Sequence, residues 1–170
     1  HTAGSMSIDC FKGFASRYGV FYPMQTFSKT RDVSFEDIPI FIEGSSEEVQ
    51  EDIRTLAAII TKRVIPLDSE NRKYLHLAAV WACNFSNYCY SVAADILGEH
   101  GIPFDVMLPL IDETTKKIHA MNPKEAQTGP AVRWDQNVID QQMLLMKSHP
   151  NWQAIYEVLS NNIHANDKKE

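Results

Sequence analysis

His76, Asn84, Asn87 and Ser91 recur through an apolar stretch that holds no Pro and no Gly before Gly98. At about 100° per residue of helix they share with Val80 an arc of roughly 80°. Histidine can exchange a proton near neutral pH, and carboxamides can hydrogen-bond a carbonyl, hydroxyl or carboxylate. The stripe therefore suits a pocket in which His76 is the acid/base group and Asn84 and Asn87 orient a substrate. The bland alternative is that the amides satisfy backbone groups or a partner helix in the core, since buried polar groups must be paired but need not be catalytic.

Three other segments carry polar groups at places where ligands bind. His1-Thr2-Ala3-Gly4-Ser5 puts small and hydroxylated residues at an expected strand end, which is where open α/β sheets hold ligands; an ordinary glycine turn explains it equally. Tyr22-Pro23-Met24-Gln25 can present the Gln25 amide to a ligand, or be turn punctuation. Gly129-Pro130 followed by Arg133 and Asp135 can supply a guanidinium to an anion, or a surface Arg133–Asp135 pair. The histidines show no i, i+4 pair, so no metal site is expected. No glycine fingerprint for a dinucleotide, no phosphate loop and no nucleophile elbow occurs.

The elements that must position these residues fall into two regions, expected at 1–68 and 69–166, with a tail at 167–170. In the first, a helix from Ser7 to Tyr18 precedes an aromatic, β-branched strand from Gly19 that Pro23 confines to an edge. A second strand covers Ile38–Ile42, a helix follows Ser46 with Val49, Ile53, Leu56, Ala57 and Ile60 on one face, and Val64-Ile65 is a third strand. The second region is helical: one long segment from Glu70 to about His100, then helices starting at Pro103, near Arg133 and near Asn151. The long segment is apolar all round, as in a helix buried on several sides, and Cys83 and Cys89 on it are expected to be buried thiols. Three short strands cannot shelter both faces of a sheet by themselves. The chain also opens on His1 without a Met. Both features predict the trailing edge of a larger sheet, in an α+β, mainly α arrangement.

Composition narrows the partners. A formal charge of -6 with scattered Lys and Arg gives no footprint for nucleic acid. No apolar run reaches the roughly 18 to 20 residues needed to span a bilayer and no signal peptide opens the chain, so a cytoplasmic protein is expected.

Taken in order, His1-Thr2-Ala3-Gly4-Ser5, Tyr22-Pro23-Met24-Gln25-Thr26-Phe27, Ile42-Glu43-Gly44, His76-Leu77-Ala78-Ala79-Val80, Asn84-Phe85-Ser86-Asn87, Leu108-Pro109-Leu110 and Thr128-Gly129-Pro130 resemble one family. It comprises Rossmann-like NADP oxidoreductases with a C-terminal helical domain of unknown function, distantly similar to pyrroline-carboxylate reductase and deazaflavin-dependent NADP oxidoreductases. The resemblance implies a helical C-terminal dehydrogenase domain preceded by the last strands of a Rossmann-like sheet, with NADP bound mainly by a preceding domain. It also implies a homodimer, with His1, Ser5 and Gln25 on the cofactor side and His76, Asn84, Asn87 and Thr128 facing the cleft from the helical side; Arg133, on the loop after Gly129-Pro130, is a further candidate for substrate binding. Related dehydrogenases often carry a Lys on the corresponding helix, where none follows Lys73 here, and the family commonly has His where this chain has Tyr22.

The expected function is hydride transfer between NADP and a small carbonyl, imine or hydroxy compound, lost in this portion taken alone. A different class of reading makes the helical unit a non-catalytic dimerisation or ligand-sensing module. A hydrolase using Ser5 and His76 has least support, because no elbow surrounds Ser5.

Overall fold

A computed structural model describes residues 1–167. Of the expected tail, only Asp167, the last residue of the final helix, falls within that range. The architecture is α+β and mainly α: one small sheet and seven helices among the described residues. It divides into two compact units, 1–89 and 90–170, and the chain passes between them inside a helix. Asp68, the end of the first region expected from sequence, caps a helix of the first unit.

In the first unit, β1 (Gly19–Pro23), β2 (Ile40–Gly44) and β3 (Val64–Pro66) form a sheet in the order β1-β2-β3. β1 runs antiparallel to β2, and β2 parallel to β3. Pro23 ends an outer strand of the three, where its missing N–H is tolerated. Along the outer side of β1, the His1 amino nitrogen donates to the Gly19 carbonyl (2.8 Å) and the Phe21 N–H donates to the His1 carbonyl (2.9 Å). Bonding to both neighbours of Val20 is the pattern of parallel pairing, so His1 extends the hydrogen-bonded layer by one more strand position.

Strand side chains alternate between faces. Phe21, Ile40, Ile42 and Val64 share one face by register and pack with Ile53 and Ala57 of α1 (Glu47–Ala58) as the core. α1 starts at Ser46, whose hydroxyl accepts from the Val49 N–H, as the sequence pattern predicts.

The helix expected over Ser7–Tyr18 is only a 3-10 turn, Ile8–Phe11. Ser7 caps it as expected, but Gly13 adopts φ +85° directly afterwards and stops propagation.

The long segment is α2 (Ser69–Ala79), a π-helical turn (Val80–Phe85) and α3 (Ser86–Glu99). It is not buried all round: Trp81 is 61% exposed, and Cys83 and Cys89 are exposed, so the buried-thiol expectation is overturned. Apolar content alone cannot separate a helix enclosed on several sides from one that keeps an open apolar face.

α2 is capped by Asp68, whose carboxylate accepts from the Asn71 N–H (2.8 Å). The backbone and side-chain hydrogen bonds from Asn71 hold the Asp68 carboxyl below its ordinary range. A lowered folded value means that this stabilisation is complete above the unfolded pKa of about 3.9 and fades as pH falls through the folded one. Asp68→Asn keeps a good cap without the titration. Its urea midpoint is expected to fall less steeply below about pH 4 than that of the parent; parallel profiles would refute the assignment.

In the second unit, Pro103 does not open an α-helix. A 3-10 turn, Phe104–Met107, leads into α4 (Leu108–Ala120), with Pro109 in the first helical turn, where proline fits. The helix expected from about Arg133 is α6 (Gln136–Leu145), and a separate short helix, α5 (Pro130–Arg133), precedes it. Trp134 turns left-handed at φ 51°, and Asp135 spends its carboxylate capping α6 at the Val138 N–H (3.3 Å). That cap replaces the Arg133–Asp135 pair. α7 (Pro150–Asp167) packs on α5, and His149 just before it stacks on Trp152 and pairs with Glu99 at 3.0 Å. No helix among the described residues is long and apolar enough to cross a membrane.

Candidate functional site

The sheet face opposite the core gathers the polar side chains from which a site can be built. By alternation and register, Val20 and Tyr22 of β1, Phe41 and Glu43 of β2, and Ile65 of β3 point to it. α2 contributes Ser69, Arg72 and His76, whose spacings of three and four residues put them on one stripe.

Arg72 is fully buried. Its guanidinium donates to Glu43 Oε2 (2.5 Å), to the Met6 carbonyl (2.6 Å) and to Ser69 Oγ (3.0 Å). The Ser69 hydroxyl donates to the same Glu43 oxygen (2.7 Å) and accepts from the Ile8 N–H (2.9 Å). One planar cation thus ties the end of β2, the start of α2 and the segment after Ser5 together, which its fixed fork of donors makes possible.

One turn further along α2, His76 Nδ1 lies 3.0 Å from the Tyr22 hydroxyl. The rings meet edge to face, with centroids 6.1 Å apart. Burial raises the Tyr22 phenol above its ordinary pKa, and the nearby Arg72 charge offsets part of that rise. Tyr22 therefore keeps its proton at neutral pH. The Met24 thioether, 3.9 Å from the same hydroxyl, is its weaker acceptor. Gly4 closes over the pair: a Cβ there would stand 2.5 Å from His76 Nδ1 and 2.9 Å from Tyr22 Cζ. His76 is half-buried.

The sequence-derived candidates divide as follows. His1 is half-buried against Phe11, and its Nδ1 accepts from the Ala3 N–H (3.2 Å). Ser5 and Gln25 are exposed, and Gln25 Oε1 accepts from the Thr26 N–H (2.8 Å), leaving its amide protons outward. Asn84 lies in the π turn and is exposed, and Asn87 follows in the first turn of α3. A π turn winds more widely than an α turn, so an even angular step from His76 does not carry across to either amide. Thr128 and Arg133 are exposed residues of the second unit, on the loop before α5 and at its end.

Gly4 and Tyr22 lie in segments singled out from sequence but had no role of their own assigned, and Arg72 and Glu43 are absent from the sequence-derived candidates. A signal for two of them existed: Glu43 ends an apolar strand, and Arg72 shares the helical stripe of Ser69 and His76. The pairing of Tyr22 with His76 spans 54 residues and had no local signature.

No curated protein matches the chain. Among solved structures, BF3122 from Bacteroides fragilis, named a "putative NADP oxidoreductase", aligns with 52% identity and a TM-score of 0.95 over 97% of this chain and 64% of its own. The chain thus spans under two thirds of that relative's length. TM1727 from Thermotoga maritima, 22% identical, superposes with a TM-score of 0.78 over 99% of this chain and 68% of its own, which shows a shared fold. Residues 38–163 match a family described as a domain of unknown function, DUF2520. They take in β2, β3, every helix from α1 to α6 and most of α7, together with Glu43, Arg72 and His76, so the chain belongs to the DUF2520 family.

Proposed function

We propose that the full-length protein is an NADP-dependent oxidoreductase acting on a small carbonyl, imine or hydroxy compound. His76 is its acid/base group, and Asn84 and Asn87 orient the substrate. The observation that carries this reading is the half-buried His76, held at Nδ1 by Tyr22 and shielded by Gly4, in a chain half identical to a protein named for NADP oxidoreduction. Distant similarity to pyrroline-carboxylate reductase and deazaflavin-dependent NADP oxidoreductases accords with it.

His1, Ser5 and Gln25 are placed on the cofactor side. His1 supports this, because its Nδ1 is an acceptor and so its proton sits on Nε2, a buried atom with no partner among the described residues. Such an orphaned donor is costly unless an acceptor arrives, and a dinucleotide is rich in amide and phosphate oxygens. The cofactor, when bound, supplies the hydride acceptor or donor. Most of its contacts are assigned to residues beyond this chain, in keeping with the greater length of the relative. The protein is proposed to be cytoplasmic and a homodimer, in which a second copy covers exposed Trp81 and Phe85.

The test is thermal unfolding of the full-length protein with NADP(H) and, separately, NAD(H). A ligand at a hundred times its Kd stabilises by about 2.7 kcal/mol, so NADP(H) is expected to raise the melting temperature by several degrees. No shift with either cofactor would sink the reading. With a substrate in hand, His76→Gln is expected to keep the shift and lose roughly a hundredfold or more in turnover.

A further inference from the structure

We infer that Tyr22 is a positioning residue that holds the His76 ring by Nδ1, with a proton on Nε2, so that the ring offers the substrate a hydrogen-bond donor. The inference rests on the role proposed for His76.

The argument is one of proton inventory. The Tyr22 hydroxyl has a single proton, and two acceptors lie within its reach: His76 Nδ1 at 3.0 Å and the Met24 sulfur at 3.9 Å. An imidazole nitrogen is a much better acceptor than a thioether, so the proton goes to Nδ1. A neutral imidazole that accepts at one nitrogen carries its proton on the other. The His76 ring bonds through Nδ1 to Tyr22, which leaves the Nε2 proton for a ligand.

Charging His76 does not change the sense of the outward bond. The imidazolium donates from both nitrogens. Tyr22 then accepts at its oxygen from Nδ1–H and can turn its own proton toward Met24. In both states Nε2 is a donor, and its complement is a lone pair on an oxygen or nitrogen, whether of a carbonyl, an imine or a hydroxyl. Gly4 maintains the arrangement, since any side chain at that position would push the imidazole off the phenol.

The experiment is nitrogen-detected NMR of histidine-labelled full-length protein, with His76 assigned by its loss in His76→Gln. In the parent protein at high pH, His76 is expected as the Nε2–H tautomer. In Tyr22→Phe that preference should be lost, and in Met24→Leu it should be kept. An Nδ1–H tautomer in the parent protein, or an unchanged tautomer in folded Tyr22→Phe, would overturn the inference. The parent spectrum alone decides the first point should the variant fail to fold. Because the readout needs neither substrate nor cofactor, it can fail while NADP binding stands, and the reverse also holds.

Discussion

Arg72→Met is expected to destabilise the folded protein by about 3–5 kcal/mol, the range for removing one partner of a buried ion pair. Arg72 is fully buried and the Glu43 side chain is 15% exposed, so the orphaned carboxylate keeps little access to water. The Met6 carbonyl loses its donor in the same step, and Ser69 loses one of three partners. For a protein of this size the melting temperature should drop on the order of 10 °C. Arg72→Met combined with Glu43→Met should recover at least half of the loss, because two apolar residues leave no buried charge behind. Hydrogen exchange at the Ile8 amide, bonded to Ser69 Oγ, should accelerate in the single variant before global unfolding. A loss under about 1 kcal/mol for the single variant would mean that the pair behaves like an exposed one.

The buried guanidinium also marks the limit of reading chemistry from a linear pattern. Strand positions near 19–23, 38–42 and 64–65 were legible because β-branched and aromatic residues cluster there between turn residues. The start of α1 was legible because Ser46 and the acidic first turn mark a helix end locally. The α+β, mainly α class followed from those two periodicities. What could not be read depends on contacts across the fold. Gly13 was a local sign that the helix could stop, but residue type alone does not fix the φ of +85° that cuts it to one turn. Likewise the π turn at Val80–Phe85 follows from no residue preference, yet it sets the phase of Asn84 and Asn87 relative to His76.

The site shows the same division. His76 was visible from its residue type and its place on an apolar helix. Its partner was not, because Tyr22 is chosen by the register of β1 against β2 and by where α2 crosses that face, both long-range outcomes. The family resemblance pointed away from Tyr22, because its pattern implies histidine there. A phenol there can still serve a second imidazole, since one hydroxyl can donate or accept as the neighbour requires.

Gly4→Ala should cost turnover on the scale of His76→Gln itself. The added methyl would sit 2.5 Å from His76 Nδ1 and 2.7 Å from its Cγ, with Tyr22 Cζ at 2.9 Å. Ordinary contact begins near 3.4 Å, so one ring or the backbone must move by close to an ångström. Both rings are anchored, His76 on α2 and Tyr22 within the β1–β2 pairing, so the change falls on the bond between them. A displacement of that size in a catalytic group costs about a hundredfold in rate, and turnover of the full-length variant is expected to fall by that order. Overpacking should also lower stability by about 1–3 kcal/mol. Much of that penalty should vanish in a His76→Ala background, where the nearest atoms are gone. The two substitutions are therefore expected to be non-additive by more than about 0.5 kcal/mol. Additive stabilities together with near-normal turnover would show that Gly4 does not crowd the imidazole, and that the pair is held by α2 and β1 alone.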